Sequence, residues 1–213
     1  MRFLAALLLI LSSCVSSTQL PRPDVHAGLD IRPECNATWF GEIDEGFATK
    51  VREDLRKAHE KQCKPFQAAL MSPGGSVIWS VEISQEIKRA RLKGLIVEIH
   101  GRSLVASGAL TVISAGSPGH RFIARNSLIV VHAVRRGGGF GGPPICIDLN
   151  TLAGKNDEDA KVIRALLYMD ITEVAENTGK PWLTVASWFT CGNEQAGPGM
   201  LLVQLGLADM EEN

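Results

Sequence analysis

Ser107 and His132, 25 positions apart, are the residues whose types and surroundings could do chemistry. Ser107 sits among small neighbours, Val105-Ala106-Ser107-Gly108-Ala109, shortly after an apolar run at residues 95–99 that reads as a buried strand. A serine crowded in this way suits a tight strand-to-helix turn that exposes its hydroxyl and frees the next backbone N–H. A second apolar run, residues 127–131, ends on His132. A histidine at the mouth of a neighbouring strand is placed to take the serine proton, which is the sequence form of an acyl-transfer site. The reaction also needs donors for an oxyanion. Gly75, within Ser72-Pro73-Gly74-Gly75-Ser76-Val77, and Gly108 are the candidates, because glycine lets a backbone N–H approach a substrate closely.

The elements that must position these residues alternate. Residues 37–43 read as a short strand. Phe47, Val51, Leu55 and Ala58 then recur at helical spacing through a charged segment. Residues 66–71 form an apolar strand, and Val77, Val81, Ile83 and Ile87 run through a helix with a basic last turn. Strands at 93–99 and 127–131 follow, with a helix between them. This order predicts an α/β fold, a parallel sheet with helical cover and right-handed crossovers. Residues 135–144, with five glycines, read as a loop beside His132. Residues 157–177 form the longest helix, apolar over too much of its circumference for burial on one side. A short helix at 198–207 and a frayed acidic tail complete the expectation.

The chain has 213 residues, 45% hydrophobic and 21% charged, which suits one soluble domain with a full core. A net charge of −1, without a basic cluster interleaved with aromatics, excludes nucleic acid as an expected partner. The N-terminus differs in kind. Met1-Arg2 precedes an apolar run at residues 3–11, then Ser12, Ser13 and Cys14, so residues 1–17 read as a secretory signal. Leu11-Ser12-Ser13-Cys14 resembles a bacterial lipobox, which would make Cys14 the lipidated residue of an exported, periplasmic or membrane-anchored protein; the alternative is an ordinary cleavage within residues 15–18. Residues 18–34 read as a linker and 35–213 as the domain. Export makes up to two disulfides among Cys35, Cys63, Cys146 and Cys191 expected, with three pairings open and free thiols the alternative. Their spacing argues against zinc, and no metal or cofactor is expected.

Taken in order, Ser72-Pro73-Gly74-Gly75-Ser76-Val77, Ala106-Ser107-Gly108-Ala109, Gly119-His120-Arg121-Phe122 and Asn126-Ser127 with His132 resemble the proteolytic subunit of Clp protease. Gly206-Leu207-Ala208-Asp209 resembles that family's terminal Gly-Leu-Val-Asp. The likeness spans roughly residues 37–209 and is firm over 72–132. It implies a crotonase-like spiral of β-β-α units, a serine peptidase mechanism acting on peptides or unfolded protein, and homo-oligomeric rings whose ring-to-ring contact uses the helix at 157–177. It puts the nucleophile on Ser107, the base on His132 and the oxyanion donors on Gly75 and Gly108. The family's third member is an aspartate about a turn before the closing helix. Counting back from Gly206 reaches Glu194, beside Asn193; the first would orient His132 by charge, the second by a neutral hydrogen bond. Export removes ATP, so no unfolding ATPase is expected. Two other readings compete. Signal-peptide peptidases resembling protease IV share Ser-Pro-Gly-Gly and Ala-Ser-Gly but use a lysine base, and no lysine lies between Ser107 and His132. A catalytically silent scaffold or assembly protein is the other.

Overall fold

The computed structural model describes residues 32–136 and 145–212. The signal segment, Cys14 and most of the linker lie outside the described residues, as do 137–144 of the glycine-rich stretch.

Local chemistry sets the elements. After a 3-10 turn, β1 (Asn36–Phe40) leads to α1 (Glu45–Glu60), whose N-cap Asp44 accepts a hydrogen bond from the Phe47 N–H at 2.8 Å. Phe47, Val51, Leu55 and Ala58 make its buried stripe. β2 (Phe66–Ser72) alternates strictly between buried and half-buried positions, and α2 (Val77–Leu92) follows it. β3 (Val97–Ala106) runs directly into α3 (Gly108–Ser114). Then come β4 (Arg121–Ala124), β5 (Leu128–Val131), and a hairpin of β6 (Val134–Arg136) and β7 (Ile145–Ile147). Asp157 caps α4 (Glu158–Thr178), accepting from the Ala160 N–H at 2.9 Å, and Gly179 ends it at φ +67° in the left-handed region. α5 (Trp182–Trp188), β8 (Gln195–Gly197), α6 (Met200–Leu205) and β9 (Met210–Glu212) complete the chain.

The sheet is α/β and mostly parallel, in the order β1-β2-β3-β4-β9. β3 pairs with two strands on one side, β4 along its first half and β5 along its second. β5 in turn carries β8, antiparallel. The core runs between sheet and helices through Trp39, Phe66, Leu70, Ile99, Leu110 and Ile129. The Cys35–Cys63 disulfide ties the start of the domain to the residues after α1, and Cys146–Cys191 ties β7 to the loop after α5.

Two expectations need correction. Residues 135 and 136 lie in β6, because Arg135 pairs with Cys146 and Arg136 with Ile145; the irregular stretch begins after them. The acidic tail is ordered: β9 pairs with β4, and Glu211 and Glu212 are both in ion pairs.

Glu212 is held by a charge cluster on the sheet. His100 Nδ1 meets Glu212 Oε1 and its Nε2 meets Glu98 Oε1, both at 2.8 Å. Glu98 also faces His120 Nδ1 at 3.0 Å and accepts from Gln67 Nε2 at 2.6 Å, while Arg102 pairs with Glu212 at 2.9 Å. Burial alone would push the His100 imidazole down, but hydrogen bonds to Glu212 and Glu98, and their charges, raise it to about 9. Burial alone would push Glu98 up, yet His100, His120 and Gln67 hold it down at about 2. A histidine raised from 6.5 to about 9 contributes stability that is complete below 6.5 and lost as pH rises through 9. We therefore expect unfolding free energy to fall by up to about 3 kcal/mol across that window. His100→Gln should flatten the slope in urea titrations at several pH values. An unchanged slope in the variant would refute this role.

Candidate active site

The nucleophile's placement follows from how β3 ends. Ala106 pairs with Val130 at the last rung between β3 and β5, and the Ser107 N–H continues the ladder to Val130 O at 3.0 Å. Ser107 then turns at φ +51°, ψ −126°, outside the helical and extended regions. A non-glycine residue held there costs on the order of 1–3 kcal/mol and needs surroundings that enforce it. The next residue opens α3, so the chain passes from strand to helix within one residue. The half-buried Ser107 side chain is thereby set at the sheet's edge.

His132 sits one residue beyond the end of β5, as Ser107 sits one beyond the end of β3. The parallel pairing of these strands brings the two residues to adjacent strand ends. His132 Nδ1 lies 2.6 Å from the Ala133 carbonyl oxygen. A carbonyl only accepts, so Nδ1 carries the proton and donates, leaving Nε2 as the basic nitrogen. That is the tautomer a general base needs.

Gly74 and Gly75, just past the end of β2, close the site. A Cβ on Gly74, at φ +91°, would meet Ser107 Cβ at 2.5 Å and Ala106 O at 2.7 Å. Only glycine permits this approach. Gly75, at φ +153°, forms a parallel bridge with Ile43 in which the Ile43 N–H donates to Gly74 O (2.8 Å) and the Ser76 N–H to Ile43 O (2.9 Å). The Gly75 N–H takes no part in that bridge. Gly108 is glycine because a Cβ there would collide with the Ser80 side chain of α2. Its N–H is the first of α3, where no intrahelical acceptor exists.

The candidates for a third member are placed elsewhere. Glu194 pairs with Arg135 of β6, and the Asn193 amide donates to Ser187 O at 2.6 Å. Among the described residues neither is hydrogen-bonded to His132. Asp170 of α4 is spent on α3: it accepts from Thr111 Oγ1 at 2.7 Å, and burial, augmented by the Glu173 charge, pushes it up to about 6 despite that bond. Asp148, just after β7, accepts from the Thr151 N–H (2.7 Å) and the Cys191 N–H (2.8 Å). With the Cys146–Cys191 disulfide and the Arg135–Glu194 pair, it fastens the β6–β7 hairpin to the loop entering β8. The collar joins the hairpin that follows His132 to β8, the strand paired with β5. The parts that residue patterns missed are Gly74 as the close neighbour of Ser107, the Ala133 carbonyl, and the Asp148 clamp. Backbone acceptors leave no signature in a sequence. Asp148 had one, the Asp-x-x-Thr spacing to Thr151.

Beside Gly75 and Val134 opens an apolar groove of about 430 Å³, lined further by Ile78, Ile163, Leu166 and Leu167. Among the described residues no group of histidine, cysteine, aspartate and glutamate is placed to hold a metal ion. No helix among them is long and apolar enough to cross a membrane.

A half-buried serine on a strained strand-to-helix turn, with a histidine in the basic tautomer and two glycine N–H groups nearby, is the arrangement of a serine hydrolase type of site. Comparison with known proteins gives the family. The Clp protease family model matches residues 34–186, and the chain belongs to that family. It is 27% identical over 162 residues to the ATP-dependent Clp protease proteolytic subunit 2 of Corynebacterium efficiens, covering 73% of each chain. A solved structure of a ClpP1 mutant from Listeria monocytogenes shares the fold at a TM-score of 0.67 and 19% identity, over 84% of this chain and 92% of that one.

With Ala133 O holding the tautomer, Glu194→Gln should lower kcat/KM less than tenfold. Removing the charge from a carboxylate bonded directly to the base costs about 10⁴-fold. Steady-state kinetics on a fluorogenic peptide measures this, and a loss near 10⁴ would place the carboxylate on His132 in the working enzyme.

Proposed function

We propose that this protein is an exported serine peptidase that hydrolyses peptides or unfolded chains through an acyl-enzyme on Ser107. One observation carries the reading: the β3–β5 ladder brings Ser107, on its strained turn, and His132, whose Nδ1 is committed to a carbonyl, to neighbouring strand ends. Ser107 Oγ attacks the scissile carbonyl carbon while His132 Nε2 takes the hydroxyl proton. The oxygen of the tetrahedral intermediate is held by the N–H groups of Gly75 and Gly108, each such donor being worth about 3 kcal/mol of transition-state stabilisation. Collapse breaks the C–N bond as His132 returns the proton to the leaving amine. A water, deprotonated by His132, then releases the acyl group and restores Ser107. A backbone carbonyl stabilises the transient imidazolium less than a carboxylate does, so turnover is slow for this chemistry. Glu194 contributes through Arg135, at the mouth of the groove.

The groove favours an apolar side chain in the substrate, since Ile78, Ile163, Leu166 and Leu167 line it. Val162, Tyr168 and Met169 on α4 stay exposed, 48–57% of their surface, which supports self-association through that helix into a ring. The signal-like segment and the lipobox-like Cys14 support a lipid-anchored location outside the cytoplasm, where ATP is absent and the peptidase acts without an unfolding motor. Full-length protein should cleave a fluorogenic peptide with leucine before the scissile bond in preference to one with aspartate, equally with and without ATP. Ser107→Ala should lower the rate by 10³-fold or more. Folded protein that cleaves neither peptide would support the silent scaffold instead.

A further inference from the structure

The place where the chain enters the domain coincides with an unneutralised basic edge. Arg32 Nη1 donates to Lys61 O at 3.0 Å, at the C-cap of α1, and the Cys35–Cys63 disulfide fastens the chain to the same end. Beside that point a hollow of about 300 Å³ is lined by His59, Gln62, Lys64, Lys93 and Gly94, with no acidic residue among its walls. Lys61, Lys64 and Lys93 are exposed, and among the described residues none of them is in an ion pair. Of the acids of the adjoining surface, Glu53 is matched by Lys57, Glu60 by Arg56 and Glu86 by Arg89, which leaves Glu34, beside the disulfide, against the three lysines. Next to Lys93, Leu92 is 88% exposed and Ile96 40% exposed. A basic rim around a protruding apolar side chain suits an anionic bilayer, with ammonium groups among the headgroups and leucine at the acyl boundary.

We propose that this edge, built from Lys61, Lys64, Lys93 and Leu92, seats the protein on a membrane surface bearing anionic phospholipid. The tether rests on the reading of Cys14 as a lipid anchor; the face itself rests on the domain. The segment from Cys14 to Arg32 reaches at most about 60 Å when extended, so an anchored domain stays within contact of the bilayer. The orientation has a consequence for the peptidase. β3 begins at Val97, one residue past the seated Ile96, and ends at Ala106, one before Ser107. A strand of that length carries Ser107 roughly 30 Å away from the seated edge. The site then faces water, and its substrates are polypeptides of the aqueous compartment rather than segments within the bilayer.

The test uses full-length protein and its Leu92→Trp variant on vesicles of phosphatidylcholine, alone or with about a third phosphatidylglycerol. Flotation with phosphatidylcholine vesicles reports the anchor. The Leu92→Trp emission, as a difference from the parent protein, reports the face. On anionic vesicles that emission should shift to the blue; on phosphatidylcholine alone it should not. Lys61→Gln/Lys64→Gln/Lys93→Gln should abolish the shift while keeping the wild-type thermal transition, and about 1 M salt should abolish it without any substitution. Absence of the shift on anionic vesicles, or its survival of both high salt and the triple substitution, would overturn the proposal. Failure to float on phosphatidylcholine, with the lysine-dependent shift intact, would remove the anchor and leave the face.

Discussion

The site depends on the backbone turn at Ser107. A side chain at φ +51° is unfavourable for any residue but glycine, and nothing within residues 105–109 would hold it there in isolation. What holds it is pairing at long range. The Ser107 N–H extends the β3–β5 ladder to Val130 O, and Leu110 N–H bonds back to Ser107 O at 2.9 Å as α3 begins. Gly74, two residues past the end of β2, presses on Ser107 so closely that any side chain there would displace it. Strain at the nucleophile is thus balanced by the segment after β2, by β5 and by α3.

α3 must itself stay in place, and here polar groups do more than apolar ones. Thr111, one turn after Ser107, donates to Asp170 of α4; Asn177 of α4 donates to Ser114 at 3.1 Å and to Ser84 of α2 at 3.0 Å. Glu173 accepts from Ser84 Oγ at 2.8 Å and from Lys88 at 2.9 Å. Buried groups of this kind lose more when a partner is removed than they gain when formed, so they enforce one register between α2, α3 and α4. The same helix α4 lines the groove beside Gly75 with Ile163, Leu166 and Leu167. Placement of the nucleophile and the shape of the groove are therefore coupled.

Much of this was legible from residue order. The strands flanking Ser107 and His132, the helices at Glu45–Glu60 and Val77–Leu92, and the long α4 follow from period and capping. Glycine at 75 and 108 reads as close approach, and the structure shows both, with Gly74 beside them, occupying space a side chain could not. Other features were hidden for physical reasons. β9 is three residues of acidic sequence, and it is a strand because His100, Arg102 and Arg125 wait for its carboxylates. The pairing of the four cysteines is set by which chain ends the sheet brings together. Counting back along the chain put Glu194 near the site, and it does border the collar, but Arg135, in β6, takes its carboxylate. The contact on His132 Nδ1 comes from a backbone carbonyl, which every residue has.

The most direct measurement of the central claim is covalent capture of the nucleophile. Folded full-length protein treated with a fluorophosphonate should gain the mass of one adduct per chain, located on Ser107 by peptide mapping and absent in Ser107→Ala. His132→Ala should slow labelling by 10³-fold or more, because the hydroxyl then has no base. An unlabelled wild type, or an adduct that persists in Ser107→Ala, would contradict the account.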